Sequence, residues 1–106
     1  MKHITNYEEF QKLVIESVRP VVVDFYAVWC GPCQYMEPVF VEASDDFAGK
    51  VDFYKVNIDD ARDLAIDHGI VSVPTLMFVK DGKVINKHVG AVSKSDLVEI
   101  LNSILQ

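Results

Sequence analysis

The sequence predicts an α/β domain: one central mixed β-sheet flanked by helices on both faces, in the order β-α-β-α-β-α-β-β-α. Three observations lead there. Runs rich in β-branched and aromatic residues at Pro20–Val28, Val51–Ile58 and Leu76–Val79 have strand length, and the first is apolar enough to be covered on both sides. Between them, apolar residues recur three and four positions apart, the period of a helix that buries one stripe. Asp81-Gly82, between the apolar runs that end at Val79 and begin at Val84, is a two-residue hairpin signal. Strands separated by helices are expected to run parallel and the hairpin antiparallel.

In chain order, Lys2-His3-Ile4 is a short extended piece, and Thr5-x-x-Glu8 and Asn6-x-x-Glu9 both read as capping boxes for a first helix. Phe10, Leu13, Val14 and Val18 form its inner stripe. Arg19-Pro20 ends it, because the residue before proline is pushed out of the helical region. The central strand follows, interrupted only by Asp24. After Cys33, a helical stripe of Met36, Val39, Phe40, Ala43 and Phe47 runs past Pro38, whose missing N–H is expected to kink the helix. The second core strand, Val51–Ile58, leads to a short helix capped by Asp59 or Asp60 and stopped by Gly69, with Leu64 and Ile66 as core candidates and His68 an exposed cation at its end. Val71-Ser72-Val73-Pro74-Thr75 introduces the strand Leu76–Val79. Beyond the hairpin turn, Val84–Val89 returns with Ile85 and Val89 on one face, and Gly90-Ala91 breaks it. Ser93-x-x-Asp96 caps a last helix whose Leu97, Ile100, Leu101, Ile104 and Leu105 share one side.

No repeat, linker or low-complexity tract divides the 106 residues, so a single domain over residues 1–106 is expected, large enough to hold a core without staples. Half of the residues are hydrophobic, which excludes disorder, and no apolar run is long enough to span a bilayer. The first residues lack the apolar middle and small-residue cleavage site of a secretory signal, so a cytoplasmic protein is expected. Sixteen acids against ten bases give a net charge of −6 without a basic cluster, which argues against nucleic acid as a direct ligand. With no large exposed apolar stripe, a monomer is expected.

The chemistry concentrates at Trp29-Cys30-Gly31-Pro32-Cys33, the only two cysteines of the chain, at a strand-to-helix junction. The first N–H groups of a helix are unpartnered and carry the positive end of its dipole, so a thiolate there is stabilised. The thiolate is the nucleophile of disulfide exchange. Cys30, just before the helix, is therefore the expected attacker, and Cys33, one turn on, the resolving thiol. Proline fits a first helical turn and glycine tolerates the tight entry, so Gly31-Pro32 stiffens the pair. A tetrahedral zinc site needs two more ligands, and His3, His68 and His88 are scattered without ligand spacing, so no metal is expected.

Together with Val23-Asp24-Phe25, Pro38, Lys55-Val56-Asn57-Ile58-Asp59, Val73-Pro74-Thr75 and Val89-Gly90-Ala91, that motif resembles the thioredoxin family over essentially the whole chain, in family order. The resemblance implies a thioredoxin fold and a general protein-disulfide reductase: the reduced pair reduces a disulfide-containing target protein and is re-reduced by a flavin-containing thioredoxin reductase using NADPH, with no cofactor bound to the chain itself. It places Pro74 opposite the cysteines as a cis proline. Asp24 reads either as a strand-end acid or an ion-pair partner of Lys55, or, as the resemblance favours, as a buried group beneath the cysteines that takes the proton of Cys33 through a water, its pKa raised by burial and opposed by Lys55. Trp29 reads as core or as a shield of the thiolate on the docking rim. Gly31, Pro32, Val73, Pro74, Gly90 and Ala91 would form an apolar platform for extended substrate segments, with Lys55 a modulator. Tyr26 stands where many bacterial members have tryptophan, and Gln34 where the family has a cation, leaving the rim less basic. Two other functions fit less of the pattern: an oxidase or isomerase using the same chemistry, and an interaction module valued for its surface.

Overall fold

A computed structural model describes residues 1–106. Its elements are β1 (Lys2–His3), α1 (Tyr7–Phe10), β2 (Val21–Tyr26), α2 (Gly31–Asp46), β3 (Asp52–Asn57), α3 (Arg62–Asp67), β4 (Thr75–Lys80), β5 (Lys83–Val89) and α4 (Lys94–Ile104). The strands form one five-stranded sheet in the order β1-β3-β2-β4-β5. Strand β2 lies at its centre. It runs parallel to β3 and antiparallel to β4, and its residues Val21 to Phe25 are all buried. No helix is long and apolar enough to cross a membrane.

Alternation along the strands sorts the core into two layers. Val22, Phe53, Leu76 and Phe78 point to the side covered by Met36, Phe40, Ala43 and Phe47 of α2 and its end and by Leu97, Leu101 and Ile104 of α4. Val21, Val23, Phe25, Met77 and Val79 point to the other, against Phe10 and Val14 of the first helix and Leu64 and Ala65 of α3. The same parity places Asp24, two residues on from Val22, on the α2 side. Helix α2 continues through Pro38 without a break.

The direction of β4 departs from the parallel arrangement expected of strands joined through a helix. A six-residue strand such as β3 spans roughly 20 Å, whereas the six residues of α3 span roughly 9 Å. So short a helix does not carry the chain back to the start of the strands, and β4 begins beside the end of β2, with Thr75 opposite Phe25.

Local signals held where the chemistry is local. Asn6 caps α1, its side chain accepting from the Glu9 N–H at 2.8 Å, and the Ser93 hydroxyl accepts from the Asp96 N–H at 3.2 Å at the start of α4. At the hairpin tip Asp81 and Gly82 both have positive φ, 54° and 77°, as a tight turn that follows the strand twist requires.

Several expectations are corrected. The first helix closes in a wide turn over Gln11–Ile15, where the Glu16 N–H bonds the Gln11 carbonyl at 2.9 Å, and it ends there rather than at Arg19-Pro20. Val18 falls beyond it and is 96% exposed. Neither Asp59 nor Asp60 caps α3: Ala61 occupies that position without a side-chain bond, and the turn is organised by Asn57, whose side-chain Oδ1 accepts from the Asp59 N–H at 2.9 Å. Within α3, Leu64 is buried, but Ile66 lies on the opposite side of the helix and is 62% exposed. His68 is no free cation: it is half-buried with its ring 4.7 Å from that of Phe10, and burial holds its pKa below the ordinary value. In β5 a bulge opposite Phe78 and Val79 leaves Ile85 without a partner. Ile85 therefore lines a cleft with Glu99 and Ile100 of α4, while Val89 pairs with Thr75 on the Met77 side, so the two do not share a face. Leu105 closes α4 and is exposed.

The two apolar residues of α3 provide the check on this placement. Leu64→Ala is expected to cost about 2–5 kcal/mol in chemical denaturation, and Ile66→Ala to stay within about 0.5 kcal/mol of the parent. Equal losses would contradict the orientation of α3.

Candidate active site at the start of the second helix

Strand β2 ends at Tyr26, and the short link Ala27-Val28-Trp29 carries the chain to Cys30, which is the N-cap of α2 in an extended conformation, φ −93° and ψ 116°. Its Sγ accepts from the Cys33 N–H at 3.2 Å, which places a sulfur where a capping oxygen ordinarily sits. Gly31 and Pro32 form the first turn, where proline forfeits no helical bond. Cys30 and Cys33 are joined as a disulfide with Cα atoms 5.3 Å apart, a separation suited to that bond. Both are nearly inaccessible and pack on Ala27 and Val73. The helix start faces the Cys30 sulfur, so once the bond is opened a thiolate there meets an N–H donor and the positive end of α2.

A second loop closes over the pair. The Val73 carbonyl oxygen lies 3.6 Å from Cys30 Sγ, the Val73–Pro74 peptide bond is cis, and the Pro74 carbonyl accepts from the Gly90 N–H at 2.8 Å. That bond ties a third loop to the second, and Gly90 adopts φ 96°, a conformation that side chains resist. Gly31, Pro32 and Ala91 are exposed around the pair, Val73 is half-buried and Pro74 buried. Trp29 is 68% exposed, which excludes the core reading, and its indole N–H donates to the Asp59 carboxylate at 2.9 Å. Gln34, in place of a cation, donates to the Val28 carbonyl at 3.2 Å and braces the link before the cysteines.

Asp24 is fully buried, and neither carboxylate oxygen has a hydrogen-bond partner. Burial pushes its pKa up to about 7, the Lys55 ammonium opposing the rise and the Glu37 carboxylate adding to it. Both strand-end and ion-pair readings of Asp24 fall. It lies mid-strand, directly beside Lys55 across the β2–β3 ladder, yet Lys55 bonds Glu37 of α2 instead and sits 4.1 Å from the centre of the Tyr26 ring. The Tyr26 hydroxyl in turn meets His3 Nδ1 at 3.0 Å. A cleft of about 360 Å³ lined by Tyr26, Ala27, Cys33, Gln34, Glu37 and Lys55 opens this region to solvent.

Glu37 was not among the residues singled out in the sequence, and Asp59 was read there only as a helix cap and as the end of a family signature, not as the partner of Trp29. Glu37 had a signal: it lies four positions after Cys33, on the same helical face, and Lys55 needed a counter-charge. Asp59 had none, because its partner Trp29 stands thirty positions away.

The family model described as Thioredoxin matches residues 1–103. The chain is 44% identical over 103 residues to "Thioredoxin" of Mycoplasmoides gallisepticum, covering 95% of this chain and 99% of that one. It is 40% identical over 97 residues to "Thioredoxin" of Haemophilus influenzae, covering 92% and 91%. Against "Thioredoxin M-type, chloroplastic" of Pisum sativum the identity is 42%, over 91% of this chain and 56% of the plant protein. A chain matched from residue 1 to 103 by that family, folded on a mixed sheet and carrying a Cys-x-x-Cys disulfide at a helix start, belongs to the thioredoxin family of disulfide oxidoreductases, which act by thiol–disulfide exchange.

Proposed function

We propose that the chain works in the reducing direction, as a general protein-disulfide reductase in the cytoplasm, with Cys30 the nucleophile, Cys33 the resolving thiol and Asp24 the proton acceptor. The observation that carries this reading is Cys30 at the N-cap of α2, its sulfur facing the Cys33 N–H and within disulfide reach of Cys33. In the reduced protein the Cys30 thiolate attacks one sulfur of a target disulfide and expels the other as a thiolate, giving a mixed disulfide. Cys33 then yields its proton to Asp24, and its thiolate attacks Cys30 Sγ. That step releases the second target sulfur as a thiolate and leaves Cys30 and Cys33 oxidised. The two target thiolates take up protons, one of them returned by Asp24, so two electrons and two protons pass to the target.

Support for Asp24 comes from its burial without partners and its raised pKa, which put the proton exchange near neutrality. A water in the cleft beside Cys33 and Lys55 would connect carboxylate and thiol. Trp29, Gly31, Pro32, Val73, Pro74, Gly90 and Ala91 form the docking surface, where an extended segment pairs with backbone near Val73. Such a surface selects little by sequence and suits many targets. Proteins of this family bind no cofactor of their own and depend on a reductase partner. We assign that role to a flavin-containing thioredoxin reductase fed by NADPH, which returns two electrons to the Cys30–Cys33 disulfide.

Three outcomes test these roles. Cys33→Ser is expected to accumulate a mixed disulfide through Cys30, seen by mass after alkylation, whereas Cys30→Ser yields none; trapping through Cys33 instead would reverse the two roles. Val73→Asp is expected to slow reduction of protein disulfides at least tenfold more than that of small disulfides, and equal losses would remove Val73 from the docking surface. For Asp24 the sign follows from its raised folded-state pKa. The folded protein holds this proton more tightly than the unfolded chain, so stability is greatest below about pH 4 and is lost as pH rises through about 7. The stability advantage of Asp24→Asn over the parent in urea unfolding is therefore expected to grow by roughly 2–3 kcal/mol as pH rises from about 5 to about 8, while turnover falls. A variant less stable than the parent and equally active would dismiss the carboxyl from this role.

A further inference from the structure

Lys55 stands directly beside Asp24 across the β2–β3 ladder, where neighbouring strands lie about 4.8 Å apart, so its ammonium has the buried carboxylate within reach. It does not take that partner. It bonds Glu37 at the mouth of the cleft, with its side chain 7% exposed and that of Glu37 43% exposed, and rests on the face of Tyr26. Tyr26 is itself held by His3. Asp24 keeps both oxygens unbonded. When Asp24 is ionised, a buried ammonium one strand away would be drawn to it, and a second acid that holds that ammonium removes the competition.

We propose that Glu37 is a positioning residue for the exchange reaction: together with Tyr26 it draws the Lys55 ammonium toward the cleft mouth and so keeps Asp24 unpaired and free to exchange a proton with Cys33. Glu37 touches no reacting atom and acts through Lys55. The groups that face Asp24 bear this out. Across the ladders it meets Lys55 of β3 and the apolar Leu76 of β4. From α2 the charged contributor is Glu37, from its own strand Tyr26 is the nearest titratable group on that face, and α4 buries Leu97, Leu101 and Ile104 on that side. Only one cation is placed to quench the carboxylate, and one acid turns it away.

The inference rests on the proton-acceptor role assigned to Asp24, so its test reads the carboxyl directly as well as the rate. The Asp24 carboxyl carbon is followed by NMR against pH in reduced full-length protein, in the parent, Glu37→Gln, Lys55→Met and the double variant. Without Glu37, Lys55 swings to Asp24, and the titration midpoint is expected to fall by about one pH unit or more, as an opposite charge at close range dictates. In the Lys55→Met background the Glu37→Gln shift is expected to shrink to less than half, because the effect passes through the lysine. An unmoved midpoint, or the same shift in both backgrounds, would overturn the inference; the latter would mean that Glu37 acts by its own charge alone. The pH profile of mixed-disulfide resolution is expected to move with the carboxyl in Glu37→Gln. A carboxyl that moves while the profile stays still would leave Glu37 as the clamp on Lys55 but remove Asp24 from the chemistry, which separates failure of the two assignments.

Discussion

The hydrogen-bond ladders on both edges of β2, combined with helices covering both of its faces, hold that strand where neither water nor a neighbouring backbone can move it. Cys30 inherits this rigidity. The link from Tyr26 to the N-cap of α2 is short, and the Cys30 N–H bonds the Ala27 carbonyl at 3.3 Å, so the sulfur's position follows from the end of the strand and the start of the helix. Reactive groups placed by the ends of regular elements are located more accurately than groups on free loops. The second and third loops then register on the first through Val73 and through the Pro74–Gly90 bond.

Burying Asp24 in that strand works against stability and, in the role proposed for it, in favour of chemistry. A carboxyl with no partner costs folding energy whenever it is ionised, and an asparagine or an apolar residue would serve the sheet better. The same isolation raises its pKa to about 7, the range in which the proton exchange proposed for it would run in both directions. Sites of reaction are where such violations of packing logic are expected.

Much of the fold was legible because its determinants are local. The stripe from Met36 to Phe47, the Ser93 and Asn6 caps and the Asp81-Gly82 turn depend on residues a few positions apart, and each appears as its pattern implies. The site was legible for the same reason at Cys30 and Cys33. Misses came where the outcome depends on length or on distant partners. The antiparallel course of β4 follows from how far α3 advances, which periodicity does not measure. Val18 and Ile66 are apolar residues at helix-like spacing, but the first lies past the end of a helix and the second on its open side. The Glu37–Lys55 pair joins α2 to β3 across eighteen positions, so its only trace in the sequence is that Glu37 shares a helical face with Cys33.

The edges of the sheet have a further consequence. One edge, β1, is two residues long, and the other, β5, is exposed, carries Lys83 and Lys87 and is distorted by the bulge at Ile85. Short strands, lysines and bulges all discourage a foreign strand from adding to a sheet. A protein that exchanges disulfides with other chains would be trapped by inviting edges. In the function proposed above, the extended backbone offered to a visitor is confined to the loop at Val73, beside the sulfur, so a client that stays for long would be one held covalently, and the chain would let go of it when the disulfide closes.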